Sequence, residues 1–281
     1  MAVWGGARAT VWILPGRTEF IEKYEAIAGR LVALGYAVVV VDWRTQGLSD
    51  RSVPDVAIGH VMDFSEFQRD LAAFLAASAV RDLPTPRLML AHSMGGCIGL
   101  RALVEGVAFD RAVFSAPMWG LPLSRPMRPV LHMMLWATGS FGLHQRFVPG
   151  RSATPEISVT PFPGNELTGD REQYHRFRDL VAAEPRLGLG GPSLGWLRSA
   201  WAEMAALQVA PPPMLPTLTF VGSEETVVSV EAIRTGSARL PGGRLIELDG
   251  ARHEVLVEVP AIRERVWGEI ERFLAEGDAV S

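Results

Sequence analysis

The sequence predicts an α/β fold: a mostly parallel sheet with helices on both faces, interrupted by one inserted helical segment. Three observations carry this expectation. Short apolar runs rich in β-branched residues alternate with longer runs of helical apolar spacing. Tyr36-Ala37-Val38-Val39-Val40-Val41 has no charged position, the habit of a strand buried on both faces of a parallel sheet. The alternation then fails between Pro117 and Pro213 and resumes afterwards, so the insertion lies inside one sheet domain.

Taken in order, Thr10-Val11-Trp12-Ile13-Leu14 reads as a buried strand stopped by Pro15-Gly16. Phe20, Ile21, Tyr24, Ile27, Leu31 and Leu34 predict a helix over 18–34, and a strand over 36–41 follows it. After a polar loop from Asp42 to Ser49, Phe64, Phe67, Leu71, Phe74 and Leu75 predict a helix over 63–77. The apolar run Leu88-Met89-Leu90-Ala91 leads through His92 and Ser93 into a helix over 95–105, and Ala112-Val113-Phe114 is the next strand. Beyond the insertion come a strand over 217–221, a helix over 228–239, a strand over 244–248 and a helix over 260–274. The expected domains are a core of 1–116 and 214–281 and an insertion of 117–213.

Composition narrows the class. The 281 residues include 48% hydrophobic and 21% charged side chains, enough to bury a large core. A net charge of −4 without a basic cluster argues against a nucleic-acid partner. The single cysteine, Cys97, excludes an internal disulfide and suits a reducing compartment. The first residues lack a secretory pattern, and no apolar run reaches the roughly 18 residues that span a bilayer. A cytoplasmic protein with no integral membrane span is therefore expected.

The chemistry concentrates at three predicted strand ends. Ala91-His92-Ser93-Met94-Gly95 matches the elbow pattern G-x-S-x-G with alanine at the first glycine, which would lift the Ser93 hydroxyl above the sheet edge. A serine needs a histidine to take its proton, and that histidine needs a carboxylate to hold its tautomer. His253 follows the strand over 244–248, and Glu224 and Glu225 follow the strand over 217–221. Attack on an ester creates an oxyanion that fixed donors must meet. The backbone amide of Met94 and that of Arg17, in the loop after the first strand, are the expected donors. His92 is expected to be structural.

Pro15-Gly16-Arg17-Thr18-Glu19, Asp42 to Ser49, the elbow, Gly222-Ser223-Glu224-Glu225 and Gly250 to Glu254 together resemble the lysophospholipase and monoacylglycerol lipase branch of the α/β-hydrolase superfamily. The resemblance implies an α/β-hydrolase fold whose insertion is a helical cap, and it prefers Glu225 over Glu224 as the acid. It implies a carboxylic ester hydrolase acting through an acyl-enzyme, with no cofactor and no metal. Pro15 stands where the family commonly has histidine, glutamate replaces the usual aspartate, and Ala2-Val3-Trp4 is the remnant of an N-terminal hairpin, which leaves the sheet edge less protected. Methionines and tryptophans in the insertion suit an acyl chain, with Met118, Trp119 and Trp196 as candidate substrate contacts. The expected partner is a small acyl ester, with transient lipid-surface contact through the cap; oligomeric state is not legible. Cleavage of amide or carbon–carbon bonds by the same triad, and a non-catalytic binding protein on this fold, are the alternatives.

Overall fold

The computed structural model describes residues 1–276. The chain forms β1 (Ala2–Trp4), β2 (Thr10–Leu14), α1 (Glu25–Ala33), β3 (Ala37–Val40), α2 (Ser65–Ala76), β4 (Arg87–His92), α3 (Met94–Val104) and β5 (Arg111–Ser115). Between β5 and the next strand lie α4 (Arg128–Ser140), α5 (Glu156–Val159), α6 (Arg171–Ala183) and α7 (Leu194–Val209). The strand–helix rhythm resumes with β6 (Thr217–Gly222), α8 (Val230–Arg239), β7 (Arg244–Leu248) and α9 (Pro260–Ala275).

The strands form one sheet in the order β1-β3-β2-β4-β5-β6-β7. Among the described residues only β1 is antiparallel to its neighbour, and it covers the outer edge of β3 with three residues. The parallel register places Ile13 beside Leu90, Leu90 beside Val113 and Val113 beside Leu218. Alternate side chains point to opposite faces of a strand. Trp12, Leu14, Met89, Ala91 and Phe114 thus pack under residues of α2, α3, α7 and α8, such as Phe67, Ile98, Met204 and Ile233. Val11, Ile13, Leu88, Leu90 and Val113 pack on the other face under residues of α1 and α9, such as Leu31, Trp267 and Ile270. Helices on both faces explain why these strands read as unbroken apolar runs.

One predicted element is corrected. The helix expected over 18–34 begins only with a single 3-10 turn at Ile21–Tyr24 followed by α1. Thr18 has φ 65°, outside the right-handed helical region, and its amide donates to Gln46 Oε1 at 2.8 Å. The loop's own hydrogen bonds outcompete helix formation there.

Candidate active site

Ser93 sits between the end of β4 and the first residue of α3 with φ 51° and ψ −117°, a conformation that costs a non-glycine residue energy. Neighbouring contacts hold it there. Its amide donates to Ser115 O at 3.0 Å, and its carbonyl accepts from Gly96 N at 2.9 Å and Met118 N at 2.8 Å. A Cβ on Gly95 would collide with the Leu14 carbonyl, so only glycine lets α3 start this close to β2. Ala91, fully buried in register with Leu14 and Phe114, fills the position where the pattern usually has glycine.

The loops after β6 and β7 bring two further residues to this serine. His253 Nε2 lies 3.0 Å from Ser93 Oγ, and its Nδ1 lies 2.7 Å from Glu225 Oε2. All three side chains are buried. Nδ1 therefore donates to the carboxylate, leaving Nε2 to accept from the hydroxyl. Glu225 Oε1 accepts from Val227 N at 2.6 Å and Val228 N at 3.1 Å. Burial alone pushes this carboxyl up, but the His253 hydrogen bond and charge and the two amides outweigh it and hold it below its ordinary value. Glu224 points to solvent, 3.5 Å from Arg252 Nε.

The loop after β2 approaches from the opposite side, and a Cβ on Gly16 would stand 3.0 Å from Ser93 Cβ. Trp43 Nε1 donates to Pro15 O at 2.9 Å and Gln46 Nε2 to Gly16 O at 3.0 Å. Pro15 thus accepts from an indole through its carbonyl, and its ring needs no partner. The Gly16 amide is bonded to the Glu19 carboxylate and the Thr18 amide to Gln46. Among the described residues the Arg17 and Met94 amides have no acceptor.

Behind the three loops lies a buried charge cluster. The Lys23 ammonium is bonded to Glu19 and, at 2.5 Å, to Glu254 Oε1, while Tyr24 Oη donates to Glu19 Oε2 at 2.5 Å. His92 Nδ1 donates to Ser115 O at 3.0 Å. Its Nε2 faces Glu19 Oε1 at 3.7 Å and Glu254 Oε2 at 3.6 Å, and its ring centroid is 4.8 Å from that of His253. With the Nδ1 hydrogen committed to that carbonyl, a neutral ring would turn the Nε2 lone pair on two carboxylates. Burial pushes His92 down, but Glu254 and Glu19 outweigh it and raise it; the same pairing raises Lys23 and holds Glu254 well below the carboxylate range. Glu19, His92 and Glu254 offer donor atoms within 4.8 Å of one another, as a metal site would, but the Lys23 ammonium already supplies positive charge to both carboxylates.

Comparison with known proteins places the chain in a family. The family model described as "Serine aminopeptidase, S33" matches residues 5–260. The chain belongs to this hydrolase family. It is 35% identical over 264 residues to lysophospholipase L2 of Escherichia coli strain K12, covering 90% of this chain and 76% of that one. It is 28% identical to the probable lysophospholipase L2 of Haemophilus influenzae, covering 95% and 84%. The fold matches monoacylglycerol lipase of Paleococcus ferrophilus with a TM-score of 0.74 at 19% identity, covering 98% of this chain and 97% of that one. A soluble variant of monoglyceride lipase from Saccharomyces cerevisiae matches with the same TM-score and identity, covering 97% and 88%. The hydrolase has the α/β-hydrolase fold.

The three candidate substrate contacts of the hydrolase separate in space. Met118 is buried and its amide braces Ser93. Trp119 packs edge-on against Phe114, with centroids 5.1 Å apart, and donates to Gly96 O at 3.2 Å. It also lines a cavity of about 490 Å³ between the ends of α7 and α8, which Ser93 does not line. Trp196 is buried against Phe64, and its ring lies 5.4 Å under the Arg17 guanidinium. The sequence reading missed Trp43 and Gln46, which hold the loop after β2, and the Glu19–Lys23–Glu254 cluster. The only signal for the first pair was their place in the polar loop after β3. Cys97 is buried, which pushes its thiol well up and leaves it inert. No helix of the described residues is long and apolar enough to cross a membrane.

Proposed function

We propose that this carboxylic ester hydrolase cleaves single-chain acyl esters of glycerol or glycerophosphate, with Ser93 as nucleophile, His253 as base and Glu225 as the acid that orients it. Ser93 Oγ attacks the acyl carbonyl while His253 Nε2 takes the hydroxyl proton. The negative charge developing on the carbonyl oxygen is met by the Arg17 and Met94 amides. His253 returns the proton to the departing alcohol, and a water deprotonated by the same nitrogen then releases the acid from Ser93. The relay of 3.0 Å and 2.7 Å through His253 is the observation that supports this reading most.

Residues 117–213 act as a cap over this site in the same reading. The exposed Met133, Trp136 and Phe141, at the cap's α4, suit transient contact with a lipid surface. A buried lone cysteine fits a reducing, cytoplasmic setting. The names of the related lysophospholipases favour ester cleavage over amide or carbon–carbon cleavage and over a non-catalytic scaffold. Ser93→Ala is expected to abolish hydrolysis of p-nitrophenyl esters and labelling by a fluorophosphonate while the circular dichroism spectrum stays unchanged. Retention of most esterase activity in that variant would refute the assignment.

A further inference from the structure

Arg17 presents two separate groups to this region, a backbone amide and a guanidinium that travels away from it. The side chain crosses from the loop after β2 to the inserted segment, where Nη2 donates to Gly190 O at 2.6 Å and the guanidinium lies over Trp196. Gly59 leaves room for it, since a Cβ there would stand 2.7 Å from Nη2. Nε is buried without a hydrogen-bond partner. Among the described residues no carboxylate lies within ion-pair distance of Arg17; the Arg151 guanidinium nearby is bonded at 2.6 Å to Glu156. Burial, then the charge of Arg151, push Arg17 down to about 9, against a smaller opposing effect of Glu156.

A guanidinium carries five N–H donors in a rigid fork suited to phosphate. Here one neutral carbonyl uses a single donor, and the charge has no counter-ion. A half-buried cation left in that state costs free energy that an arriving anion would recover. The loop that carries it also carries Gly16, on which a Cβ would stand 3.0 Å from Ser93 Cβ, so an anion at Arg17 is held by the same loop that borders Ser93.

Building on the esterase reading above, we infer that the Arg17 guanidinium binds the phosphodiester of a single-chain glycerophospholipid whose acyl ester is presented to Ser93. The cap residues Gly190 and Trp196 hold the fork in place, and the glycerol backbone bridges phosphate and scissile carbonyl. An uncharged monoacylglycerol makes no such contact.

Two measurements test this. In the first, kcat/KM is compared for a lysophosphatidylcholine and a monoacylglycerol of the same acyl chain, in the wild type, Arg17→Met and Arg17→Lys. Charge-assisted hydrogen bonds of this kind correspond to about a 10- to 100-fold effect. Arg17→Met should lower the lysophospholipid-to-monoacylglycerol ratio by that factor, chiefly through KM, and Arg17→Lys should fall between. An unchanged ratio, including an equal loss on both substrates, would overturn the inference.

In the second, dodecylphosphocholine below its micellar concentration is titrated by calorimetry into Ser93→Ala and into Ser93→Ala/Arg17→Met. Loss of binding in the double variant supports the inference, and equal binding overturns it. Inorganic phosphate alone should bind at least tenfold more weakly than the lipid, and equal affinity would overturn the lipid assignment. Because this second measurement needs no turnover, failure of the esterase reading would appear as wild-type inactivity with phosphodiester binding intact.

Discussion

Replacing Lys23 with methionine removes the single ammonium that two buried carboxylates share. The side chains of Lys23, Glu19 and Glu254 are 8%, 5% and 7% exposed, so water cannot replace the lost partner. Removing one partner of a buried ion pair typically costs about 3–5 kcal/mol, because a desolvated charge is left uncompensated. At about 2 °C per kcal/mol for a chain of this size, the melting temperature at pH 7 should fall by about 6–10 °C in a calorimetric scan. The loss should shrink as the pH is lowered, because a neutral carboxyl buried without its cation costs less than a buried carboxylate. The triple variant Glu19→Gln/Lys23→Met/Glu254→Gln removes all three charges together and should recover much of the stability. A single variant within 1 kcal/mol of the wild type, or a triple variant as damaged as the single one, would refute the reasoning.

Three further outcomes follow from the site. Glu225→Gln should keep the fold but lower kcat by about 10³- to 10⁴-fold, as expected when the group that sets the histidine tautomer loses its charge, whereas Glu224→Gln should stay near the wild type in the same steady-state assay. His92 is raised above its unfolded value of about 6.5, so its contribution to stability is fully present below that pH and lost as the pH climbs through the folded value. Urea midpoints measured from pH 6 to 9 should therefore fall more steeply for the wild type than for His92→Gln; parallel curves would contradict the pairing. Glu254, held low, contributes stability above about pH 4.3 that is lost as the pH falls through its folded value, so wild-type midpoints should also decline on the acid side.

Legibility in the sequence followed the physics of each part. Strands buried on both faces carry their signature within a few consecutive residues, so 10–14 was read with its observed bounds; the edge strand 244–248, which leaves Arg244 and Glu247 exposed, was read with its bounds as well, and the other strands within one residue at either end. The start of α1 was missed because Thr18 and Glu19 answer to Gln46, Gly16 and Lys23, partners that helical periodicity does not register. Ser93 and His253 were legible because the elbow pattern and a histidine after a strand are local features. Glu224 and Glu225 are chemically equivalent in a sequence, and only the chain path after β6 turns one inward and the other to solvent. The charge cluster was illegible because Glu19 and Lys23 look like an ordinary helical pair, while the carboxylate that completes it, Glu254, lies 231 residues beyond Lys23.

That cluster also bears on why a hydrolase keeps four ionisable groups where apolar side chains would pack. Each of the three loops at the site contributes one member: Glu19 from the loop after β2, His92 from the residue before Ser93, and Glu254 from the residue after His253. Glu19 additionally accepts the Gly16 amide, next to the amide proposed to meet the oxyanion. Buried ion pairs rarely exceed apolar packing in stability, so their distinctive effect here is registration of three loops against one another. Misplacement of reacting groups by about 1 Å can cost about 10²-fold in rate. The triple variant that recovers stability should therefore still lose about 10- to 100-fold in kcat with KM little changed. Wild-type kcat in that variant would reduce the cluster to packing alone.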